Sequence, residues 1–160
     1  MHKPPLLHLR SRDNSKHLAE LGAALSEADP PFNIRAIGGG EGPDGTGVFA
    51  IALDDDSEDR DAELREIVEG IDGVSLVDVD GVTIELDDKP GALGLAAGVL
   101  QAADINIESI LGIGSHGDRP IVLLGVQTGS GEAAREALEA AGYFVYPHEH
   151  DHNDEDPIPG

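Results

Sequence analysis

The chain has 160 residues and carries 32 Asp and Glu against 10 Lys and Arg, which gives a formal net charge of −22 at pH 7. This acidity repels nucleic-acid phosphates and anionic lipid headgroups, so it argues against nucleic-acid binding and against binding to a membrane surface. Cysteine is absent, which excludes disulfides, thiolate catalysis and thiolate metal sites. No apolar run approaches the roughly 20 residues that cross a bilayer, and we expect a soluble, cytoplasmic protein.

Acidic residues occur along the whole chain, whereas the only lysines are Lys3, Lys16 and Lys89. Abundant acid with scarce lysine and many alanines, glycines and valines resembles the composition of proteins from extreme halophiles. Concentrated salt would screen the self-repulsion that such a charge otherwise causes. An ordinary acidic protein is the alternative interpretation.

The first half of the chain predicts the element order β-α-β-β-α-β. Its first helix begins near Asp13, carries an apolar stripe that starts at Leu18, and ends at Pro30-Pro31. Residues 38–40 are three glycines and predict a flexible connection, because no Gly-Lys-Ser/Thr follows them as in a phosphate-binding loop. The predicted strands are residues 5–12, 32–37, 48–53 and 74–79, and the second predicted helix is residues 62–71.

The second half predicts the same order, most clearly in residues 82–107. Apolar and polar residues alternate from Val82 to Leu86, as in a strand with one buried face. Asp88-Lys89-Pro90-Gly91 then begins a helix, where Pro90 suits the first turn and the Asp88 carboxylate can accept from free amides. The apolar stripe of this helix is Leu93, Ala97 and Leu100. The predicted strands are residues 82–86, 105–113, 121–126 and 143–146, and the predicted helices are residues 91–103 and 132–140.

This arrangement resembles the ACT domain, a small amino-acid-sensing module of metabolic enzymes and regulators. The resemblance rests on a strand, the Asp-x-Pro-Gly-x-Leu sequence from Asp88 to Leu93, a helix, and Asn106-Ile107 at the start of the next strand. With the β-α-β order that follows, it covers residues 81–147. It implies that the units pack together, often with a second chain, and that an effector sits between this turn and the second strand of a neighbouring unit.

Four features recur in the same order in both halves, which argues for an internal duplication. Leu18 matches Leu93, Asn33-Ile34 matches Asn106-Ile107, residues 48–53 match 121–126, and Gly73 matches Gly142. We therefore predict an α+β protein of two ferredoxin-like βαββαβ units, each an antiparallel sheet with its helices on one face. The predicted domains are a degenerate ACT-like unit at residues 1–80, an ACT domain at 81–147, and an acidic, histidine-containing disordered tail at 148–160.

A unit of this size has a marginal core, and its uncovered sheet face and edge strand need partners. We therefore expect a homodimer or a larger assembly.

The turn before the second-half helix is the candidate site. Gly91 allows a ligand to approach free backbone amides at a helix N-terminus, which can bind a carboxylate, and Asn106 offers a donor and an acceptor. The same residues have a purely structural alternative, in which Asp88 only caps the helix, Pro-Gly only turns the chain and Asn106 only satisfies an edge. The residues that the ACT resemblance implicates in ligand binding are Asp88, Lys89, Gly91, Ala92, Leu93, Asn106 and Ile107.

The first copy departs from this pattern, because Ser15 and Lys16 stand in place of Pro90 and Gly91, while Asp13 and Asn33 are retained. We interpret it as a structural partner that contributes its strand from Asn33 to a shared interface.

Three histidines near the end of the chain could bind metal adventitiously: His148, His150 and His152. They show no fixed spacing, and a solvated tail is the preferred interpretation.

No catalytic motif of the nucleophile-elbow, phosphate-loop or zinc-protease type occurs, so we expect neither catalysis nor a cofactor or metal. The sequence therefore predicts a regulator that binds a free amino acid and modulates a separate amino-acid biosynthetic enzyme through ligand-dependent packing of its ACT units. The alternative is a ligand-free assembly subunit of an enzyme complex.

Overall fold

A computed structural model describes residues 6–54 and 59–146 as two antiparallel sheets, each accompanied by two helices. This architecture confirms the predicted α+β fold class. The histidine-containing tail predicted at residues 148–160 lies outside the described residues. The elements of the first half are β1 (Leu6–Ser11), α1 (Asn14–Glu27), β2 (Ile34–Glu41), β3 (Gly47–Leu53), α2 (Asp61–Glu69) and β4 (Val74–Val77). Those of the second half are β5 (Val79–Glu85), α3 (Ala92–Ala102), β6 (Ile107–His116), β7 (Arg119–Gln127) and α4 (Gly131–Ala140).

Both sheets have the strand order that a βαββαβ unit predicts. The first runs β2-β3-β1-β4, and the second runs β6-β7-β5. The strand predicted at 143–146 is reduced to a single bridge between Val145 and Ile84. The prediction for residues 74–79 was also wrong at its end, because Val79 already belongs to β5 and pairs with Gln127 on β7.

One face of each sheet is covered by its two helices. In the first sheet Leu7, Leu9, Ile51 and Leu53 pack against α1 and α2, and in the second sheet Ile84, Val122 and Leu124 pack against α3 and α4. These residues alternate along their strands with residues that point to the other face, as the period of a strand requires. The helices therefore lie on one face of each sheet, as predicted.

The other faces of the two sheets pack against each other. Ala50 and Ala52 on β3 form a buried cluster with Leu111 on β6 and Leu123 on β7. An added Cβ at Gly38 on β2 would lie 2.9 Å from Leu111 Cδ2, so glycine there permits the close approach of the sheets. The two units thus cover each other's open sheet faces.

The three glycines at 38–40 are part of β2, so the prediction of a flexible connection was wrong. They pair with Ala50, Phe49 and Val48 of β3. Gly39 has φ +148°, and an added Cβ would collide with the backbone of Val48. Glycine is required because the strand passes close to its neighbour and to the second sheet, which no local pattern reveals.

The buried stripes of α1 and α3 differ from the prediction in their N-terminal halves, where His17 is buried in place of Leu18, and Ala92 and Ala96 in place of Leu93 and Ala97, whereas Leu21, Leu25 and Leu100 are buried as predicted. α3 buries Ala92, Ala96 and Leu100, whereas Leu93 is 47% exposed. α1 buries His17, Leu21 and Leu25. Apolar residues surround α3 on all sides, so periodicity alone does not select which face packs.

Candidate functional site

The candidate turn connects the end of β5 to the start of α3. The Leu86 amide donates to Pro120 O at 2.9 Å, which ties the strand end to the β6–β7 hairpin. The Lys89 amide then donates to Asp87 O at 2.9 Å and the Leu95 amide to Gly91 O at 3.0 Å. Gly91 is the N-cap residue and has φ +86°, so the helix begins one residue later than predicted and Pro90 precedes it.

No side chain among the described residues accepts a hydrogen bond from the first-turn amides of α3. The possibility that Asp88 caps them is therefore wrong. In the first unit, by contrast, Asp13 Oδ1 accepts from the Lys16 amide at 3.4 Å. Space is also open at the turn, because an added Cβ at Gly91 would meet nothing within 4 Å. The Ala92 amide donates to Lys89 O at 3.3 Å, so the Leu93 and Gly94 amides are the ones available to an external anion, whereas an amide of the first unit is already occupied.

The predicted site residues fall into two groups at opposite ends of α3. Asp88, Lys89, Gly91 and Leu93 are exposed at its start, and Ala92 beside them is buried. Asn106 is exposed just beyond its end, and Ile107 begins β6, half-buried and paired with Val126. The 11 residues of α3 span about 16 Å, so one chain does not bring the two groups together.

A buried carboxylate lies just behind the turn, and sequence reasoning missed it. Glu85 is 6% exposed; the Tyr146 hydroxyl donates to its Oε2 at 2.6 Å, and His116 Nδ1 lies 3.0 Å from the same oxygen. Arg119 bridges Glu85 Oε1 at 3.2 Å and Asp87 Oδ1 at 3.1 Å. Glu85 occupies a polar position in the alternation of β5, so the local pattern predicts exposure and carries no signal of this burial.

The pKa values of this cluster reflect its hydrogen bonds. The Tyr146 hydroxyl, and after it His116 and Arg119, hold the pKa of Glu85 below its ordinary value despite burial. Burial, and then the Glu85 carboxylate, raise the pKa of Tyr146 to about 12. At neutral pH Glu85 is therefore an anion that accepts from a neutral tyrosine. Through Arg119 and Asp87 it anchors the strand end from which the turn projects.

The groups at this turn are suited to binding a ligand. Uncapped amides can bind a carboxylate, the exposed Asp88 can pair with a positively charged group of a ligand, and Lys89 with a negatively charged one.

Within residues 6–54 and 59–146, no group of three or more histidine, aspartate or glutamate side chains is placed to hold a metal ion. No helix in the same part of the chain is long and apolar enough to cross a membrane.

The chain is an α+β protein of two antiparallel sheets with helices on one face of each, and solved structures share this fold. The protein BT0572 from Bacteroides thetaiotaomicron is 18% identical, with a TM-score of 0.66 over 91% of this chain and 92% of that one. The regulatory subunit of aspartate kinase from Thermus thermophilus is 16% identical, with a TM-score of 0.57 over 89% and 95%. The corresponding subunit from Thermus flavus is 19% identical, with a TM-score of 0.56 over 88% and 95%. No protein-family model and no curated protein sequence matches the chain.

Proposed function

We propose that this chain is a non-catalytic regulator that binds a free amino acid and modulates a separate enzyme of amino-acid metabolism. The observation that carries the proposal is the uncapped N-terminus of α3 behind an open, left-handed Gly91. A helix start with free amides favours a carboxylate, and the α-carboxylate is the group that all amino acids share. The fold that the chain shares with aspartate kinase regulatory subunits supports a regulatory role.

The ligand would be held by two units at once. Its carboxylate binds the amides at the turn from Asp88 to Leu93, and its polar groups meet Asn106 and Ile107 of a neighbouring unit, because those residues lie about 16 Å away within one chain. A homodimer supplies that unit. Binding would then favour one packing of units over another, by no more than the difference in ligand affinity between the two. A coupling of about 1–3 kcal/mol is typical of such switches.

Concentrated salt is the proposed working environment of this protein. The support is its net charge of −22, and halophilic adaptation would explain why acid is spread over both halves of the chain.

The test is a thermal-unfolding screen of the full chain in molar KCl with each of the twenty amino acids at millimolar concentration. We expect one of them to raise the midpoint, since a ligand at 100 times its Kd stabilises the folded state by about 2.7 kcal/mol. Asn106→Ala should reduce this shift. Gly91→Asn should abolish it, because asparagine tolerates the left-handed backbone while its side chain fills the approach to the amides.

Asn33→Ala is the matched control, because Asn33 directly precedes β2 as Asn106 directly precedes β6. Asn33 donates to Asp54 Oδ2 at 2.9 Å, an exposed contact whose loss should leave the ligand shift unchanged. A ligand that stabilises all four proteins equally would show that the site is misplaced. If none of the twenty shifts the midpoint, the chain is a ligand-free assembly subunit.

A further inference from the structure

Glu85 is the only acidic side chain that is buried among the described residues, in a chain with 32 Asp and Glu. A carboxylate that leaves water loses hydration free energy, so buried carboxylates occur where hydrogen bonds and opposite charges compensate that loss. Strand β5 does not need a charge on this face, because the uncharged Thr83 occupies it two residues earlier. The burial of Glu85 therefore points to a role beyond the pairing of β5 in its sheet.

Arg119 connects this buried carboxylate to the candidate turn. Its Nε lies 3.2 Å from Glu85 Oε1, and its Nη2 lies 3.1 Å from Asp87 Oδ1. The turn departs from Asp87, whose carbonyl accepts from the Lys89 amide at 2.9 Å. One side of the guanidinium is thus held by a buried carboxylate while the other reaches an exposed one. An arginine that is already fixed in this way loses little freedom when it forms the second pair.

The first unit stabilises the corresponding turn in a different way. Arg10 on β1 lies opposite Val48 on β3. Glu85 lies opposite Ile121, the counterpart of Val48 in the second unit, so Arg10 occupies the position of the buried acid. Arg10 is exposed, and the turn after it is capped by Asp13, which accepts from a first-turn amide of α1. A cap occupies an amide that a ligand would need, whereas a contact from behind the turn leaves the amides free.

We propose that Arg119, anchored by Glu85, positions the turn before α3 in place of a capping side chain. It fixes Asp87 at the end of β5 and leaves the Leu93 and Gly94 amides free for a ligand. Arg119 is a positioning residue, because it acts on the site through Asp87 and needs no contact with the ligand. Only the consequence for amino-acid affinity rests on the proposed function, since positioning itself requires no ligand.

The test is backbone hydrogen exchange, followed by NMR on the full chain in molar KCl without amino acid. Asp87→Ala removes the contact of Arg119 with the turn and leaves its pair with Glu85. The Leu95 amide, which donates to Gly91 O at 3.0 Å, should then exchange about threefold faster or more. The Leu124 amide in the middle of β7 should keep its rate, because an exposed ion pair contributes little to the stability of the whole fold.

Two further variants examine whether the effect passes through one contact. Arg119→Gln should accelerate exchange at Leu95 by at least as much as Asp87→Ala, since it removes both ion pairs. The double variant should exchange no faster at Leu95 than Arg119→Gln alone, because residues that act through a shared contact are not additive. Asp87→Glu keeps a carboxylate within reach of the guanidinium and should restore the slow exchange.

Arg65→Gln is the matched control. Arg65 also joins two carboxylates, those of Asp61 and Asp78, but it does so in the first unit. Its loss should leave exchange at Leu95 unchanged. In the thermal screen with the twenty amino acids, Arg119→Gln should show a smaller midpoint shift than Arg65→Gln.

Unchanged exchange at Leu95 in both Asp87→Ala and Arg119→Gln overturns the proposal. Equal acceleration at Leu95 and Leu124 in Asp87→Ala also overturns it, because that result would show a general loss of stability. Neither result depends on whether the chain binds an amino acid. A screen without any ligand would refute the proposed function and leave the exchange result standing, so the two failures are distinguishable.

Discussion

His8 joins the two sheets through a part-buried hydrogen bond. It lies on β1, is 6% exposed, and has its Nε2 within 2.5 Å of Ser109 Oγ on β6. Gly125 on β7 makes room for it, since an added Cβ there would lie 3.2 Å from the imidazole. Burial lowers the pKa of His8, against the smaller opposing effect of Glu108 on β6. Its strand neighbours Ala50 on β3 and Val77 on β4 are uncharged.

We predict that mild acid weakens the fold through His8. In the unfolded chain this histidine binds a proton near its ordinary pKa of about 6.5. In the folded chain its pKa is lower, so the folded state binds the proton only at a lower pH. The unfolding free energy should therefore fall as the pH drops below that value towards the lower pKa of the folded state. Denaturant unfolding at neutral pH and near pH 5, in constant salt, measures this loss.

His8→Gln should reduce the pH dependence, because glutamine can still hydrogen-bond to Ser109 but does not titrate. Ser109→Ala is the complementary control. It should lower the unfolding free energy at both pH values by roughly 1–3 kcal/mol, since it leaves a buried group unpaired, yet retain the dependence. Equal pH dependence in wild type and His8→Gln would contradict the prediction.

β2 shows how an edge strand can depend on a single glycine. Gly39 and Gly40 are neighbours in the same strand, but only Gly39 has a positive φ and a backbone atom in the way of a Cβ. At Gly40 an added Cβ would meet nothing within 4 Å.

We predict that Gly39→Ala destabilises the protein by roughly 1–3 kcal/mol, because alanine must hold a strained backbone and displace β3. Gly40→Ala should change the unfolding free energy by no more than about 0.5 kcal/mol. Denaturant unfolding of the two variants in molar KCl measures both. Similar values for the two would indicate a flexible connection, as first predicted from the sequence, and would contradict the pairing of β2 with β3.

Repulsion among acidic groups acts over the entire chain. Arginine offsets it locally, as where Arg65 lies 3.2 Å from Asp61 on α2 and also pairs with Asp78 after β4. With 32 acidic against 10 basic residues, however, local pairs leave most of the charge uncompensated. Salt shortens the range of this repulsion to about 3 Å at 1 M ionic strength.

We predict that the thermal midpoint rises from dilute buffer to molar KCl, with roughly 2–4 °C for each kcal/mol of stabilisation. A variant with Glu132→Gln and Glu136→Gln on the exposed face of α4 should unfold at a higher temperature in dilute buffer and depend less on salt. The same midpoint in both buffers would show that the charge does not limit stability and would rule out the halophilic interpretation.

Local patterns were sufficient to predict the fold class and the order of all elements but the last strand, which is reduced to a single bridge. Alternation in β1, β3, β5 and β7, proline after α1 and the Pro-Gly turn before α3 act within a few residues of one another, so the sequence displays them directly. The candidate turn was recognised for the same reason, and Gly91 does adopt the left-handed conformation that only glycine adopts readily. The domain boundaries and the ligand-binding roles of the seven site residues stay predictions.

Other properties depend on residues that are distant along the chain. The faces that α1 and α3 bury, the inclusion of Gly38 and Gly39 in a strand, and the burial of Glu85 are set by contacts across the two sheets. The distance between Gly91 and Asn106 is likewise set by the length and direction of a packed helix. Periodicity reports that a segment has an apolar face, but the partner against which that face packs decides its register and burial, because the free energy of burial belongs to the contact between both surfaces.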